Sequence, residues 1–387
     1  MEHFASCRRI VVKLGTQIVV HEDGSAARRR LAGLAGQMAR LRQDGRSLLL
    51  VSSGAVGLGR RALHMPPGEL SLVEKQACAA VGQGLLMQIY RELFQNHGLT
   101  MAQVLLSAGD FAHRQRYLTL HRTLEKLLDM GVLPIINEND TVSTEELEEE
   151  AGSLGFGDND RLSALVAGKL SADLLVILTD VDGIYTDNPR EKPSARRLER
   201  IDDFSQLSKI RSRGHSAYGR GGMSAKIEAA RVASISGVPT WVTSGLGENT
   251  LAPLLDPKTS RPGTLVLAQS TLRGRRPWIG FASGTQGTLV VNSGARQALV
   301  ERQASLLSVG IVSVEGHFKP GQVVSVQDQQ GFEVGRGVTR LSSEQIERVK
   351  GLDSASARGL LGQDVRDETI HRDDLVIFQE HFPATST

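Results

Sequence analysis

The 387 residues carry 45 Lys and Arg against 43 Asp and Glu, a formal net charge of +2, too small for an overall field that would draw nucleic acid or a membrane surface. With 40% hydrophobic and 23% charged residues the chain is neither disordered nor fibrous, and its length suits two domains, or one large domain with a module attached. Cys7 and Cys78 lie far apart with no metal-ligand or redox spacing, and no apolar run approaches the ~20 residues that span a bilayer, so a cytoplasmic protein with reduced thiols is expected.

Ile10-Val11-Val12 reads as a strand and runs straight into Lys13-Leu14-Gly15-Thr16. A helix follows over residues 26–43, with Leu31, Leu34, Met38 and Leu41 at helical spacing. The second strand, Ser47 to Val51, enters the small-residue turn Ser52-Ser53-Gly54-Ala55-Val56-Gly57, suited to close approach of a ligand. Helices near residues 73–95 and 117–130 flank a strand at 102–106, and a strand at 132–136 ends in Asn137-Glu138-Asn139-Asp140. Asp158, Asn159 and Asp160 then open an amphipathic helix with Leu162, Leu165, Val166 and Leu170 on its apolar face. The unbroken run from Leu174 to Leu178 suits a strand buried on both faces, and it stops at Thr179-Asp180. Gly221-Gly222-Met223-Ser224-Ala225-Lys226 starts another helix, and strands are expected over 238–243 and 263–267. Alternating strands and helices predict a mainly parallel sheet covered on both faces, with ligands at the carboxyl ends of the strands.

After a polar stretch over 270–277, containing Arg273, Arg275 and Arg276, the texture changes to short, glycine-punctuated β runs with one helix near 296–301. The chain therefore divides into a domain over residues 1–270 and a small β-rich module over 277–381.

The glycines near Lys169 and Lys226 do not have P-loop spacing, and zinc-protease, paired-cysteine and nucleophile-elbow patterns are missing. What remains is two glycine-flanked lysines, two glycine turns at strand ends and acidic groups between them, a combination that fits phosphoryl transfer. Backbone N–H groups at helix starts can cradle polyphosphate. If the acceptor is also an anion, an ammonium ~4 Å away contributes on the order of 4 kcal/mol at an effective dielectric near 20, so two lysines offset the repulsion.

In this order, Val12-Lys13-Leu14-Gly15-Thr16, Ser53-Gly54-Ala55, Ile136-Asn137-Glu138-Asn139-Asp140, Gly157-Asp158-Asn159-Asp160, Leu178-Thr179-Asp180, Gly221 to Lys226 and His371-Arg372-Asp373-Asp374 resemble the glutamate 5-kinases of the amino-acid kinase family. The resemblance spans nearly the whole chain. It implies a three-layer αβα sandwich around a mainly parallel sheet, followed by a C-terminal PUA domain. The implied reaction is phosphorylation of the γ-carboxylate of L-glutamate by ATP with Mg²⁺, the first step of proline biosynthesis. Lys13, Lys226 and Asp160 would be catalytic. Lys13, Gly15, Thr16, Thr179, Asp180, Arg220, Gly221, Gly222, Met223, Ser224, Ala225 and Lys226 would hold ATP. Ser53, Gly54, Ala55, Asn137, Asp140, Asp158 and Asn159 would hold glutamate, and no residue is assigned to the metal, which travels with the nucleotide.

A γ-carboxylate has a pKa of about 4.3 and is already ionised at neutral pH, so Asp160 suits an organiser of the lysines better than a general base. A free ammonium wants a carboxylate partner and an acetylated amine does not, so Asp140 favours glutamate over N-acetylglutamate. The rival readings are a sibling kinase acting on N-acetylglutamate or aspartate, and an RNA-binding protein built on the PUA module.

Two departures from the family pattern matter. Gln17 stands where a serine is common, and the link between Asp140 and Gly157 is long and carries Glu145, Glu146, Glu148, Glu149 and Glu150. That loop contributes to glutamate binding and proline feedback in the family, and by charge alone it reads as a solvated lid. In the second module Gly287-Thr288-Leu289-Val290-Val291, Gly294 to Leu299, Gly310-Ile311 and Gly316 to Gly321 resemble PUA, but Arg296, Arg302, Lys319 and Arg336 are interleaved with acids and aromatics are scarce. RNA is therefore not expected as a partner. The expected partners are L-glutamate, proline as feedback inhibitor, further copies of the chain in a dimer or tetramer, and the next enzyme of the pathway.

Overall fold

A computed structural model describes residues 4, 6–107, 110–111, 114–142, 159–187, 189, 191–202, 222–256, 258–268, 285–362 and 368–383. The described residues up to 268 form one compact unit and those from 285 a second. The acidic run 145–150, Asp158, Arg220, Gly221 and the polar stretch 270–277 lie outside the described residues.

The first unit runs β1 (Arg9–Leu14), α1 (Thr16–Val19), α2 (Arg28–Gln43), β2 (Ser47–Ser52), α3 (Ala55–Ala62), α4 (Leu72–Gln95), β3 (Met101–Leu106), α5 (Arg114–Asp129), β4 (Leu133–Glu138), α6 (Asn159–Lys169), β5 (Leu174–Thr179), β6 (Arg200–Ile201), α7 (Met223–Ile235), β7 (Thr240–Ser244), α8 (Ala252–Leu255) and β8 (Thr264–Val266). Eight strands make one sheet in the order β3-β4-β2-β1-β5-β7-β8-β6, parallel except where β7 meets β8. The continuous apolar run of β5 is buried at every position, as a strand covered on both faces requires.

Period-two alternation splits these strands between two cores. Ile10, Val12, Leu14, Leu48, Leu50, Leu174, Val176 and Leu178 join Leu31, Leu34, Met38 and Leu86 of α2 and α4 in one cluster. Their neighbours in sequence, among them Lys13, turn to the face covered by α6 and α7. Register then aligns the strand ends: Leu14 lies opposite both Ser52 and Leu178, Val51 opposite Ile136, and Leu106 opposite Glu138. The chain leaves β1, β2, β4 and β5 along one edge. Three backbone bonds continue the pairing past it: Gly15 N–H to Leu178 O at 3.0 Å, Ser53 N–H to Leu14 O at 3.2 Å, and Gly245 N–H to Thr179 O at 2.8 Å.

The second unit runs β9 (Thr288–Val291), α9 (Ser293–Arg302), β10 (Leu306–Leu307), β11 (Ile311–Glu315), β12 (Val323–Asp328), β13 (Phe332–Val338), α10 (Ser343–Val349), α11 (Ser354–Leu361), β14 (Glu368–Ile370) and β15 (Leu375–Pro383). A five-stranded sheet, β11-β9-β12-β13-β15, and the pair β10-β14 surround Leu289, Leu299, Phe318, Val324, Val326, Ile346 and Val349. Three helices stand where one is predicted. α10 and α11 are seven and eight residues long, too short to show a helical period, although a Ser342/Gln345 capping box and the Asp353 cap mark their starts.

The segment predicted as a small-residue turn is, from Ala55, a helix. Glycine lets α3 lie directly on α4: a Cβ at Gly82 would fall 1.8 Å from Ala55 O, and one at Gly59 would fall 1.8 Å from Cys78 O. Gly82→Ala in an unpacked helix would gain about 1 kcal/mol. Here it should lower stability, by about 1–3 kcal/mol as overpacking does, in urea denaturation. An unchanged or raised midpoint would contradict the backbone contact.

Candidate active site

Lys13 reaches the α6 side of the sheet from β1, Asp160 sits in the first turn of α6, and Lys226 closes the first turn of α7. Lys13 Nζ is 2.6 Å from Asp160 Oδ1, and Lys226 Nζ is 3.3 Å from Asp160 Oδ2. All three side chains are buried, the carboxylate completely. Two ammonium groups against one carboxylate leave a net positive charge at the edge where the strands end, and both amines are fixed relative to each other through one rigid group. A buried carboxylate without such partners would be costly, so the pairing accounts for its presence.

Beside this trio lies a chain of amides. Asn159, next to Asp160, donates from Nδ2 to Ser53 Oγ at 3.1 Å and to Asn137 Oδ1 at 2.9 Å. Asn137 in turn donates to Gln83 Oε1 on α4 at 2.8 Å. Ser53 leaves the end of β2, where Ser52 Oγ donates to Ser53 O at 3.0 Å and lies 2.6 Å from the hydroxyl of Tyr90. With its own proton committed to Ser53 O, Ser52 accepts from Tyr90, whose burial pushes the phenol well above its usual range.

Gly54 follows with φ +104°, and a Cβ there would fall 2.8 Å from Val19 Cγ1, so both backbone and space demand glycine. It caps α3 with no side-chain hydrogen bond and no acidic residue in the first turn, leaving N–H groups for an anion. Ala55 is buried at that helix start, and Asp140 lies half-buried in the turn after β4.

Where β5 ends, Thr179 Oγ1 donates to Asp180 Oδ1 at 3.0 Å. Gly15 caps α1, with the exposed Thr16 after it, and a Cβ at Gly15 would sit 3.9 Å from Lys13 Nζ. Gly222, Met223, Ser224 and Ala225 form the uncapped, acid-free start of α7. This start suits polyphosphate.

The structure thus joins Lys13, Asp160 and Lys226 by ion pairs, and Ser53, Asn137 and Asn159 by hydrogen bonds. Sequence reasoning missed Gln83 and Tyr90, which reach this edge from α4. For Gln83 a signal existed: a polar residue between Gly82 and Gly84 inside a helix, where each glycine costs about 1 kcal/mol and so points to a packing or functional reason. Tyr90 carries no such mark.

A doubly covered, mainly parallel sheet that gathers two lysines, a carboxylate and uncapped helix starts at its strand ends defines an enzyme class that handles anions, as phosphotransferases do. Residues 8–244 match the family model for the amino acid kinase family, and residues 287–361 match that for the PUA domain. The chain belongs to the amino acid kinase family. It is 42% identical to a protein named glutamate 5-kinase from Citrifermentans bemidjiense, across 96% of this chain and 97% of that one. It is 41% identical to a glutamate 5-kinase from Caldanaerobacter subterraneus subsp. tengcongensis, across 96% and 98%. A solved carbamate kinase from Giardia lamblia bound to AMP-PNP is 17% identical with a TM-score of 0.47, over 68% of this chain and 99% of that one.

Asp160→Ala should take from two buried lysines the carboxylate they share and cost about 3–5 kcal/mol in chemical denaturation. A loss below about 1 kcal/mol would mean that the carboxylate does not hold them.

Proposed function

We propose that this protein transfers the γ-phosphoryl group of ATP to the γ-carboxylate of L-glutamate, giving γ-glutamyl phosphate and ADP, the first step of proline biosynthesis. The observation that carries this reading is Asp160 held between Lys13 and Lys226 at the strand ends. It occurs in a chain 42% identical, nearly end to end, to a glutamate 5-kinase.

The acceptor carboxylate arrives ionised, so the obstacle is repulsion between two anions rather than a missing base. Lys13 and Lys226 lower that repulsion and stabilise charge on the transferring phosphoryl, while Asp160 aims both amines. Gly15, Thr16, Thr179, Asp180 and the segment from Arg220 to Lys226 hold the nucleotide. Ser53, Gly54, Ala55, Asn137, Asp140, Asp158 and Asn159 hold glutamate, with Asp140 facing its ammonium. Both oxygens of Asp160 face lysines, and no group of three or more His, Cys, Asp or Glu that could hold a metal occurs among the described residues. In this proposal Mg²⁺ arrives with the nucleotide phosphates, where it neutralises part of their charge.

The same proposal places the kinase domain at residues 1–270 and the PUA domain at 277–381, in a cytoplasmic protein that assembles as a dimer or tetramer. It responds to proline and passes its product to the next enzyme. No helix among the described residues is long and apolar enough to cross a membrane. In the second unit Arg296, Arg336 and Arg340 are engaged by Asp328, Glu333 and Glu368, which favours a structural or regulatory module over an RNA-binding one.

Purified protein given ATP, Mg²⁺ and glutamate should form ADP together with an acyl phosphate that hydroxylamine traps. Silence with glutamate but turnover with N-acetylglutamate or aspartate would overturn the assignment. Lys226→Ala should lower kcat by roughly two orders of magnitude, the loss of ~3 kcal/mol of transition-state stabilisation. A change confined to the glutamate KM would contradict its role. Asp140→Ala should instead raise the glutamate KM first.

A further inference from the structure

We propose that Gln83 is a specificity residue for the acceptor, its side-chain N–H donating to the α-carboxylate of the amino-acid substrate; this rests on the glutamate-kinase reading and deepens it.

One backbone group fixes the polarity of the whole amide chain. The N–H of Glu138 donates to Asn137 Oδ1 at 2.9 Å, and a backbone amide cannot be reversed. Asn137 therefore presents Nδ2 to Gln83, which must answer with Oε1, as the 2.8 Å contact has it. Asn137 Oδ1 also receives Asn159 Nδ2 at 2.9 Å, so Asn159 too has only one orientation. Two buried atoms are left over: Gln83 Nε2, a donor, and Asn159 Oδ1, an acceptor, neither with a hydrogen-bond partner among the described residues. Ser53 Oγ already accepts from Asn159, which leaves its O–H proton to donate.

The site thus offers two donors and one acceptor. A buried polar group left unsatisfied costs about 1–3 kcal/mol, so these atoms are expected to meet a ligand of matching polarity. An α-amino acid has it: a carboxylate that only accepts and an ammonium that only donates. The γ-carboxylate must face the lysines and the incoming phosphoryl, so the carboxylate that Gln83 meets is the α one, with the ammonium on Asn159 Oδ1. The packing of α3 on α4 at Gly82 holds the neighbouring Gln83 at this depth.

The test is Gln83→Glu, which keeps the oxygen that Asn137 needs and replaces only the donor. The parent is assayed first with glutamate. If it does not turn glutamate over, the functional reading itself fails; if it does, the comparison concerns Gln83 alone. Q83E should raise the glutamate KM by about 10- to 100-fold, the worth of a hydrogen bond to a charged group, with kcat, the ATP KM and the thermal midpoint close to the parent. A second substrate separates recognition from mere support. The α-amide of glutamate keeps the γ-carboxylate but presents an NH₂ that the carboxylate introduced by Q83E can accept from. The preference for glutamate over this amide, as a ratio of kcat/KM, should fall at least tenfold. An unchanged ratio, or an unchanged glutamate KM, would overturn the proposal. Should Q83E not fold, Gln83→Met keeps the volume and removes the donor together with the oxygen that Asn137 meets. It should likewise raise the glutamate KM with the ATP KM unmoved, and equal effects on both substrates would count against the assignment.

Discussion

A single buried carboxylate, Asp160, positions two ammonium groups that come from different elements, and the rest of the first unit serves to bring those three side chains to one point. Lys13 must be on a central strand, at a position whose side chain leaves the apolar core for the other face, and β1 provides this by simple alternation. Lys226 lies one turn into a helix whose N-terminal N–H groups are uncapped, which brings its amine and those dipoles to the same edge. Asp160 must be at the start of a helix packed on both, and α6 lies against β1 and α7. Burial magnifies each interaction, since water no longer screens it, and makes the loss of any one partner costly.

The turn Ser53-Gly54-Ala55 depends on a different constraint, the backbone contact of α3 with α4. Gly59 and Gly82 remove the side chains that would separate the two helices, and the Tyr90 hydroxyl ties α4 to Ser52 at the end of β2. Together these fix the turn Ser53-Gly54-Ala55 beside the amide chain of Asn159, Asn137 and Gln83. Small residues near such a site set distance rather than supply chemistry. Charge gathers around Asp160 and hydrogen-bonding polarity around Asn137, which suits the proposed reaction, in which one anion is moved and the other must be recognised.

Much of this was legible in the sequence because it follows local rules. The unbroken apolar run of β5, the helical spacing of α2 and the polar residues at strand ends each predict their element and its ligand edge without tertiary information. The meeting of Lys13, Asp160 and Lys226 brings one strand position together with the first turns of the two helices packed on that face of the sheet. What escaped is what long-range packing decides. Gly54 and Gly57 make the start of α3 read as a turn, because nothing local announces that α4 will lie against Ala55 and Gly59. Gln83 reaches Asn137 from 54 positions away, and no spacing rule links them. Two of the three helices in the second unit are too short for a period to declare itself.

The claim that one carboxylate couples the two lysines is tested most directly by a double-mutant cycle on the phosphoryl-transfer step, comparing Lys13→Ala, Lys226→Ala and the double variant in single-turnover experiments. If Asp160 sets both amines on the same transferring group, the losses should depart from additivity by about 1 kcal/mol or more. Losses that add to within about 0.5 kcal/mol would show two independent lysines, and the coupling described for this site would be wrong.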